Sequence, residues 1–302
     1  MRILVTGSSG WLGQTLVPRL RRDGHHVVGL DVRPGAHTSI VGSVVERAMI
    51  EDVMSGEAIT AVVHCAALHK PDIVRYPALD FVSVNVQGTL NLLEAAIAAQ
   101  VELFVFTSTT SLMVSASVRA GRDGGATRAV WITEDMPILE PRNIYGVTKL
   151  AAEHLCRITF QDRRMPVVVL RTSRFFPEED DMAHAIEQSD ENTKANEFLF
   201  RRLTVEDAAE AHVAALERAP ALGFAQFIIS APTPFRPEDC EELIVDAPSV
   251  VARYFPEYRA IYDRRGWSMF KSIDRVYCSR RAEEQLGFRC RTGFAEILGA
   301  LR

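Results

Sequence analysis

The sequence predicts an α/β fold: a doubly wound parallel sheet with helices on both faces and a small C-terminal lobe. Three observations lead there. Short apolar runs alternate with longer helical patterns through the first half of the chain, which is how parallel strands with crossover helices read. A glycine-spaced turn, Gly7-Ser8-Ser9-Gly10-Trp11-Leu12-Gly13, joins the first apolar run directly to a helical pattern. Beyond residue 171 the texture changes, with an acidic stretch at Pro177–Glu197 and a proline-rich one at Ala231–Arg259.

Strands are expected at Arg2–Thr6, His26–Asp31, Ala61–His64, Leu103–Thr107 and Pro166–Leu170, with a late one near Gln226–Ser230. Helices are expected at Trp11–Asp23, Val84–Ala99 and Ile144–Gln161. In the second of these, Leu90, Leu93, Ala96 and Ile97 make a core-facing stripe. Residues 1–171 read as a dinucleotide-binding domain. Residues 172–302 read mainly as a substrate-binding lobe, with the strand near 226–230 returning to the sheet. The run Ser115–Arg128, rich in Ser, Gly and Arg, reads as a long loop that is either functional or a mobile surface segment.

Bulk properties exclude several classes of function. The 302 residues are 47% apolar and 24% charged, with a net charge of −5, so no nucleic-acid partner is expected. Paired arginines, Arg201–Arg202 among them, are scattered and read mostly as solvated helix ends. The five cysteines are never spaced C-x-x-C, so neither a disulfide framework nor a metal site is indicated. No apolar run approaches the roughly 20 residues of a membrane span. A strand pattern beginning at Arg2 leaves no room for a signal peptide, and a cytoplasmic location is expected.

The turn after the first strand carries the cofactor argument. Glycines there let the backbone approach a pyrophosphate, and the following helix offers N–H groups and its positive dipole end. Asp31 closes the second strand, where a carboxylate accepts the adenosine ribose hydroxyls and repels the 2′-phosphate of NADP. The reading is therefore NAD, although Arg33 is placed to accommodate a 2′-phosphate. Tyr145 and Lys149 share a face as i and i+4 of a helix and are the candidate catalytic pair. An ammonium beside a phenol, with the positive nicotinamide ring, favours the phenolate and suits it as a base. A hydroxyl from Thr107-Ser108-Thr109-Thr110-Ser111 at the end of the fourth strand is expected to hold the substrate oxygen.

The ordered set Gly7-x-x-Gly10-x-x-Gly13, Asp31, His64-Cys65-Ala66-Ala67, Asn85, the Ser/Thr cluster and Tyr145-x-x-x-Lys149 resembles the extended short-chain dehydrogenase/reductases, the NAD-dependent epimerase/dehydratase family. The segment Asn85-Val86-Gln87-Gly88-Thr89-Leu90-Asn91-Leu92-Leu93-Glu94 is similar to that family's helix. The resemblance implies a Rossmann-type fold and a cofactor site of Gly7, Ser9, Gly10, Trp11, Leu12, Gly13, Asp31, Ala66, Ala67, Asn85, Thr107, Tyr145 and Lys149. It implies Tyr145, Lys149 and Thr109 as catalytic residues, and a homodimer paired through the helices Val84–Ala99 and Ile144–Gln161. Thr109, Thr110 and Arg174 are the expected substrate contacts, Arg174 as a clamp for a carboxylate or phosphate.

The departures from that pattern narrow the expectation. The Asp-Glu pair of the family's dehydratases is Thr110 and Ser111 here, and Met113 stands where many members have Tyr. Thr172-Ser173-Arg174 replaces the usual Asn of a nucleotide-sugar pocket, and Ser43 replaces a common acid near the adenine. The expected reaction is hydride transfer from a secondary alcohol carbon of a sugar or sugar-acid type small molecule. The alternatives are an epimerase, a dehydrogenase of an apolar alcohol, and a dinucleotide-sensing regulator without catalysis. His64, Trp267 and the acids Glu178, Glu179, Asp180 and Asp181 read as structural or solvated residues.

Overall fold

The structure, a computed structural model, describes residues 1–119, 127–138, 140–175 and 188–302. The centre of the 115–128 loop and the acids Glu178, Glu179, Asp180 and Asp181 lie outside the described residues. In chain order the first half runs β1 (Arg2–Thr6), α1 (Trp11–Arg22), β2 (His26–Asp31), β3 (Ile40–Val41), α2 (Arg47–Gly56), β4 (Ala61–His64), α3 (Ala78–Phe81), α4 (Gly88–Ala98) and β5 (Leu103–Thr109). The second half runs β6 (Val130–Ile132), α5 (Ile144–Arg163), β7 (Val167–Thr172), α6 (Asp190–Glu197), α7 (Val205–Leu222), β8 (Phe224–Ile229), α8 (Cys240–Tyr254), α9 (Tyr258–Arg265), β9 (Arg275–Tyr277) and α10 (Phe294–Ala300).

Seven strands form one parallel sheet in the order β3-β2-β1-β4-β5-β7-β8. The order reverses between β1 and β4, which opens a crevice at the carboxyl ends of the strands. The strands are apolar because both of their faces are covered: every residue of β4 and of β7 is buried. On one face Leu12, Leu16 and Leu20 of α1 pack with Ala208, Ala211 and Leu216 of α7. On the other, Ile50 and Met54 of α2, Leu92 and Ala96 of α4, and Ala152 and Cys156 of α5 form a second core. Each such Leu or Ile contributes about 1.5–3 kcal/mol by leaving water.

A third core lies outside the sheet. It joins Leu243 and Val250 of α8, Tyr258 and Tyr262 of α9, and Phe294 and Leu298 of α10, with Trp267 packed against it. Beside it, β6 and β9 pair in parallel. The prolines of the 231–259 stretch are accommodated here, where the backbone kinks at Asp246 two residues before Pro248. The chain crosses back to the sheet for α7 and β8 before building most of this lobe.

Two boundaries differ from the expected ones in ways that matter for the site. The strand expected to stop at Thr107 runs on to Thr109, because β7 also continues and pairs Ser108 with Arg171 and Thr109 with Thr172. The helix expected to begin at Val84 begins instead at Ala78 and passes through a π-helical turn, Val82–Gln87, into α4. That turn buries the Asn85 side chain. Such turns frequently mark functional positions.

Candidate active site

A cavity of about 340 Å³ opens at the carboxyl ends of the central strands, within the usual range for a small-molecule site. Gly7, Gly10, Trp11, Leu12 and Gly13 line one end. The middle is lined by Cys65, Ala67, Thr107, Ser108, Thr109, Tyr145 and Lys149, and the far end by Thr172, Ser173, Arg174, Arg201, Arg275 and Tyr277.

The glycine end is shaped for close approach. Gly7 has φ +75, and a Cβ there would stand 2.8 Å from Ala66 N. A Cβ on Gly13 would stand 2.2 Å from Gly7 O, so only glycine lets α1 start hard against β1. The Gly10 N-cap of α1 brings no side-chain cap, which leaves the helix N-terminus to serve an anion. Ser9 N donates to Asp31 Oδ2 at 2.9 Å and Arg33 N donates to Asp31 Oδ1 at 2.9 Å. The 7% exposed Asp31 thus ties the turn to the end of β2 and keeps further lone pairs for ribose hydroxyls. A bare glycine cradle, a helix N-terminus and this carboxylate fit NAD.

The wall opposite is braced from behind. Thr6 Oγ1 contacts His64 Nδ1 at 2.7 Å, and His64 Nε2 contacts Thr89 Oγ1 at 3.0 Å. Burial holds His64 well below its ordinary range, so it is a neutral strut. Ala66 N donates to Thr6 Oγ1 at 3.1 Å. Asn85 accepts from Leu68 N at 2.8 Å and donates to Leu68 O at 3.0 Å and to Thr148 Oγ1 at 3.1 Å. Asn85 therefore clamps the 65–69 segment to α5 and does not line the cavity. Ser9, Asp31 and Ala66 also stand outside the lining, whereas the other expected site residues are part of it.

Tyr145 and Lys149 project together from the first turns of α5, whose N-cap Asn143 accepts from Gly146 N at 2.9 Å. Tyr145 is 7% exposed, with Thr109 close enough to act on its hydroxyl. Thr109 Oγ1 also accepts from Ser111 N at 3.0 Å. The His69 ring leans on Tyr145 at 5.8 Å. Lys149 Nζ sits 4.0 Å over the Phe106 ring. Burial pushes Tyr145 up to about 12, opposed by the neighbouring Thr109. Burial also draws Lys149 down to about 8. Lys149 is not among the groups that shift the phenol in the protein alone, where burial dominates.

Thr107 is engaged elsewhere, since its Oγ1 lies 3.3 Å from Cys65 Sγ and 2.8 Å from His212 Nε2. His212 Nδ1 faces Ala208 O at 2.7 Å, and burial draws this imidazole down to about 4. Its Nδ1 therefore carries the proton, and Nε2 receives the Thr107 hydroxyl. Burial pushes the Cys65 thiol up to about 11, which keeps it protonated. Among the described residues no group of three or more His, Cys, Asp or Glu could hold a metal ion. No described helix is long and apolar enough to cross a membrane.

At the far end the sequence pointed to Arg174 but not to its cationic neighbours. Arg201 and Arg202, read as solvated, lie around the buried Glu197: Arg201 Nη2 is 2.5 Å from Oε1 and Arg202 Nε is 3.0 Å from Oε2. Arg275 and Tyr277 reach the cavity from β9, a strand too short to read from its sequence. Lys70, Arg119 and Arg142 line it as well.

Fold and cavity together define a dinucleotide-binding α/β protein of short-chain dehydrogenase/reductase architecture. A sequence model described as "NAD dependent epimerase/dehydratase family" matches residues 3–224, and the chain belongs to that family, whose cofactor is NAD. A UDP-glucose 4-epimerase of Lactobacillus helveticus is 31% identical over 164 residues, covering 51% of this chain and 46% of that one. A UDP-glucose 4-epimerase of Mycolicibacterium smegmatis is 33% identical over 165 residues, 51% of this chain and 49% of the other. The chain thus spans about half the length of these curated relatives. A solved short-chain dehydrogenase/reductase superfamily protein from Agrobacterium tumefaciens, with bound NAD, superposes with a TM-score of 0.70 at 23% identity, covering 100% of this chain and 96% of that one. That likeness establishes the fold.

Proposed function

We propose that the protein oxidises a secondary alcohol of a sugar or sugar-acid type substrate, with Tyr145 as general base. The observation that carries this reading is the buried Tyr145, which lines the same cavity as Thr109, Lys149 and the glycine cradle. Gly7, Gly10, Gly13 and the start of α1 would hold the pyrophosphate, Asp31 the adenosine ribose, and Lys149 the nicotinamide ribose. NAD, bound there, supplies a hydride acceptor and a positive ring. The Tyr145 phenolate takes the proton from the substrate hydroxyl while the carbon gives up its hydride, leaving a ketone. Thr109, which favours the phenolate, would keep the phenolic oxygen in place. The lobe after residue 171 would enclose the substrate.

A second reading is favoured by the relatives described as UDP-glucose 4-epimerases: the ketone is reduced again on its other face and leaves as an epimer. One screen separates the two. Sugars, sugar acids and nucleotide sugars are incubated with protein and NAD, following NADH by absorbance and epimers by NMR. Stoichiometric NADH supports the dehydrogenase, whereas epimer without net NADH supports the epimerase. Neither product from any of them contradicts both readings.

We also infer a homodimer paired through the 78–98 helical run and α5. The exposed apolar residues Leu79, Val82 and Leu90 on the former, and Val147 and Ile158 on the latter, support it.

A further inference from the structure

We propose that His69 is a positioning residue, an uncharged ring that holds the Tyr145 phenol at its working place beside Thr109. That the held group is a general base rests on the reaction proposed above; that it is held does not.

His69 is mounted from both sides. Before it, Leu68 is tied through its N and O to the Asn85 amide, at 2.8 and 3.0 Å. Asn85 in turn donates to Thr148 Oγ1 at 3.1 Å, next to Lys149 on α5. After it, a short 3₁₀ turn, Lys70–Val74, begins with Pro71 in its first positions, where a fixed φ suits a helix start. His69 N donates to Asp72 Oδ2 at 2.7 Å, and Asp72 N donates back to His69 O at 3.0 Å. The backbone at residue 69 is therefore anchored to α5 through the π-helical turn, and His69 lines the cavity. This mounting gives the buried Asn85, which does not reach the cavity, a route by which to act on it.

The anchored ring meets Tyr145. The two ring centroids are 5.8 Å apart with their planes at 56°, within the range in which aromatic pairs attract. A phenol swings about its side-chain torsions, so a fixed neighbouring ring limits where its oxygen can stop. That matters because a reacting atom misplaced by about 1 Å can cost about 10²-fold in rate. Burial, with the Lys149 ammonium, draws the His69 imidazole down to about 4. The ring is thus neutral and adds no positive charge beside Lys149. A role of this kind needs the ring and not its nitrogens.

The test joins NMR to kinetics. NAD-loaded protein is labelled with tyrosine carrying ¹³C at Cζ, and the Tyr145 resonance is the one lost in Tyr145→Phe. In His69→Ala and His69→Gln that resonance should shift or broaden as the phenol gains freedom, whereas in His69→Phe it should stay sharp. With whichever substrate the screen yields, His69→Ala and His69→Gln should lower kcat about 10- to 100-fold and leave KM within about threefold. His69→Phe, which keeps a ring without the nitrogens, should hold kcat within about threefold of wild type. An undisturbed Tyr145 resonance in His69→Ala or His69→Gln overturns the proposal, as does a loss carried by KM. Retained turnover in His69→Gln with loss in His69→Phe also overturns it, because the nitrogens would then be what matters. A disturbed resonance together with undiminished turnover in Tyr145→Phe would remove the proposed reaction and leave the held ring standing.

Discussion

Glu153 Oε2 accepts a hydrogen bond from Arg171 Nη2 at 2.7 Å inside the protein, one helical turn beyond Lys149. Glu153 Oε1 accepts from Arg171 Nε at 3.0 Å and from Ser108 Oγ at 2.6 Å, and Gln226 Nε2 donates to Oε2 at 3.0 Å. One carboxylate thereby joins α5 to β5, β7 and β8 directly behind the site. Both charges are nearly fully buried. Removing one partner leaves the other stranded, at a cost of roughly 3–5 kcal/mol. Glu153→Ala should lose about that much in urea unfolding, and the double change Glu153→Leu with Arg171→Met should recover most of it. A loss below about 1 kcal/mol would contradict the structural role.

Lys149 connects function to stability through pH. Its pKa falls from 10.5 in the open chain to about 8 in the fold. Between these values the unfolded chain holds the proton and the folded one does not, so stability rises with pH across this window. Below about 8 both states are protonated, and the folded state carries the full cost of a buried ammonium. At pH 7 and without NAD, Lys149→Met should therefore stabilise the protein by on the order of 1–3 kcal/mol and flatten the rise above pH 8. Chemical denaturation at several pH values measures both effects. An unchanged pH profile would show that the ammonium is well solvated.

His69 and His212 act at the acid end. Each is drawn by burial from 6.5 to about 4. Their contribution is present above pH 6.5 and lost as pH falls towards 4, because the unfolded chain takes up protons first. His212→Gln, which keeps a donor and an acceptor, should weaken the acid sensitivity of the melting temperature between pH 6.5 and 4. An identical acid profile would contradict the assignment.

Asp31 should decide the cofactor. Its two backbone hydrogen bonds hold the turn at Ser9 and the chain at Arg33, so Asp31→Ala removes both a ribose acceptor and a brace. NAD affinity should fall about tenfold or more, while NADP affinity rises or holds because Arg33 is exposed beside it. Fluorescence titration with both dinucleotides measures this. A wild-type preference for NADP would contradict the reading.

Much of this was legible in the sequence because it follows from local rules. The glycine turn, Asp31 at a strand end and the i, i+4 pair Tyr145 and Lys149 are set by short-range geometry, and the fold brings the glycines, Tyr145 and Lys149 to one cavity. Asn85, which the family pattern points to, braces Leu68 from a π-helical turn, and no periodicity signals a π turn. Of the cationic end only Arg174 was legible, because Arg201 and Arg275 come from distant segments brought to it by a bridge and a short strand. An arginine pair looks the same in sequence whether it faces solvent or a buried Glu197.

In the proposed reaction the Tyr145 phenol carries the proton. The direct measurement is turnover of Tyr145→Phe with whichever substrate the screen yields, alongside its NAD affinity. Turnover should fall by about 10²–10⁴-fold while NAD affinity stays within about threefold. Turnover within about threefold of wild type would contradict the account.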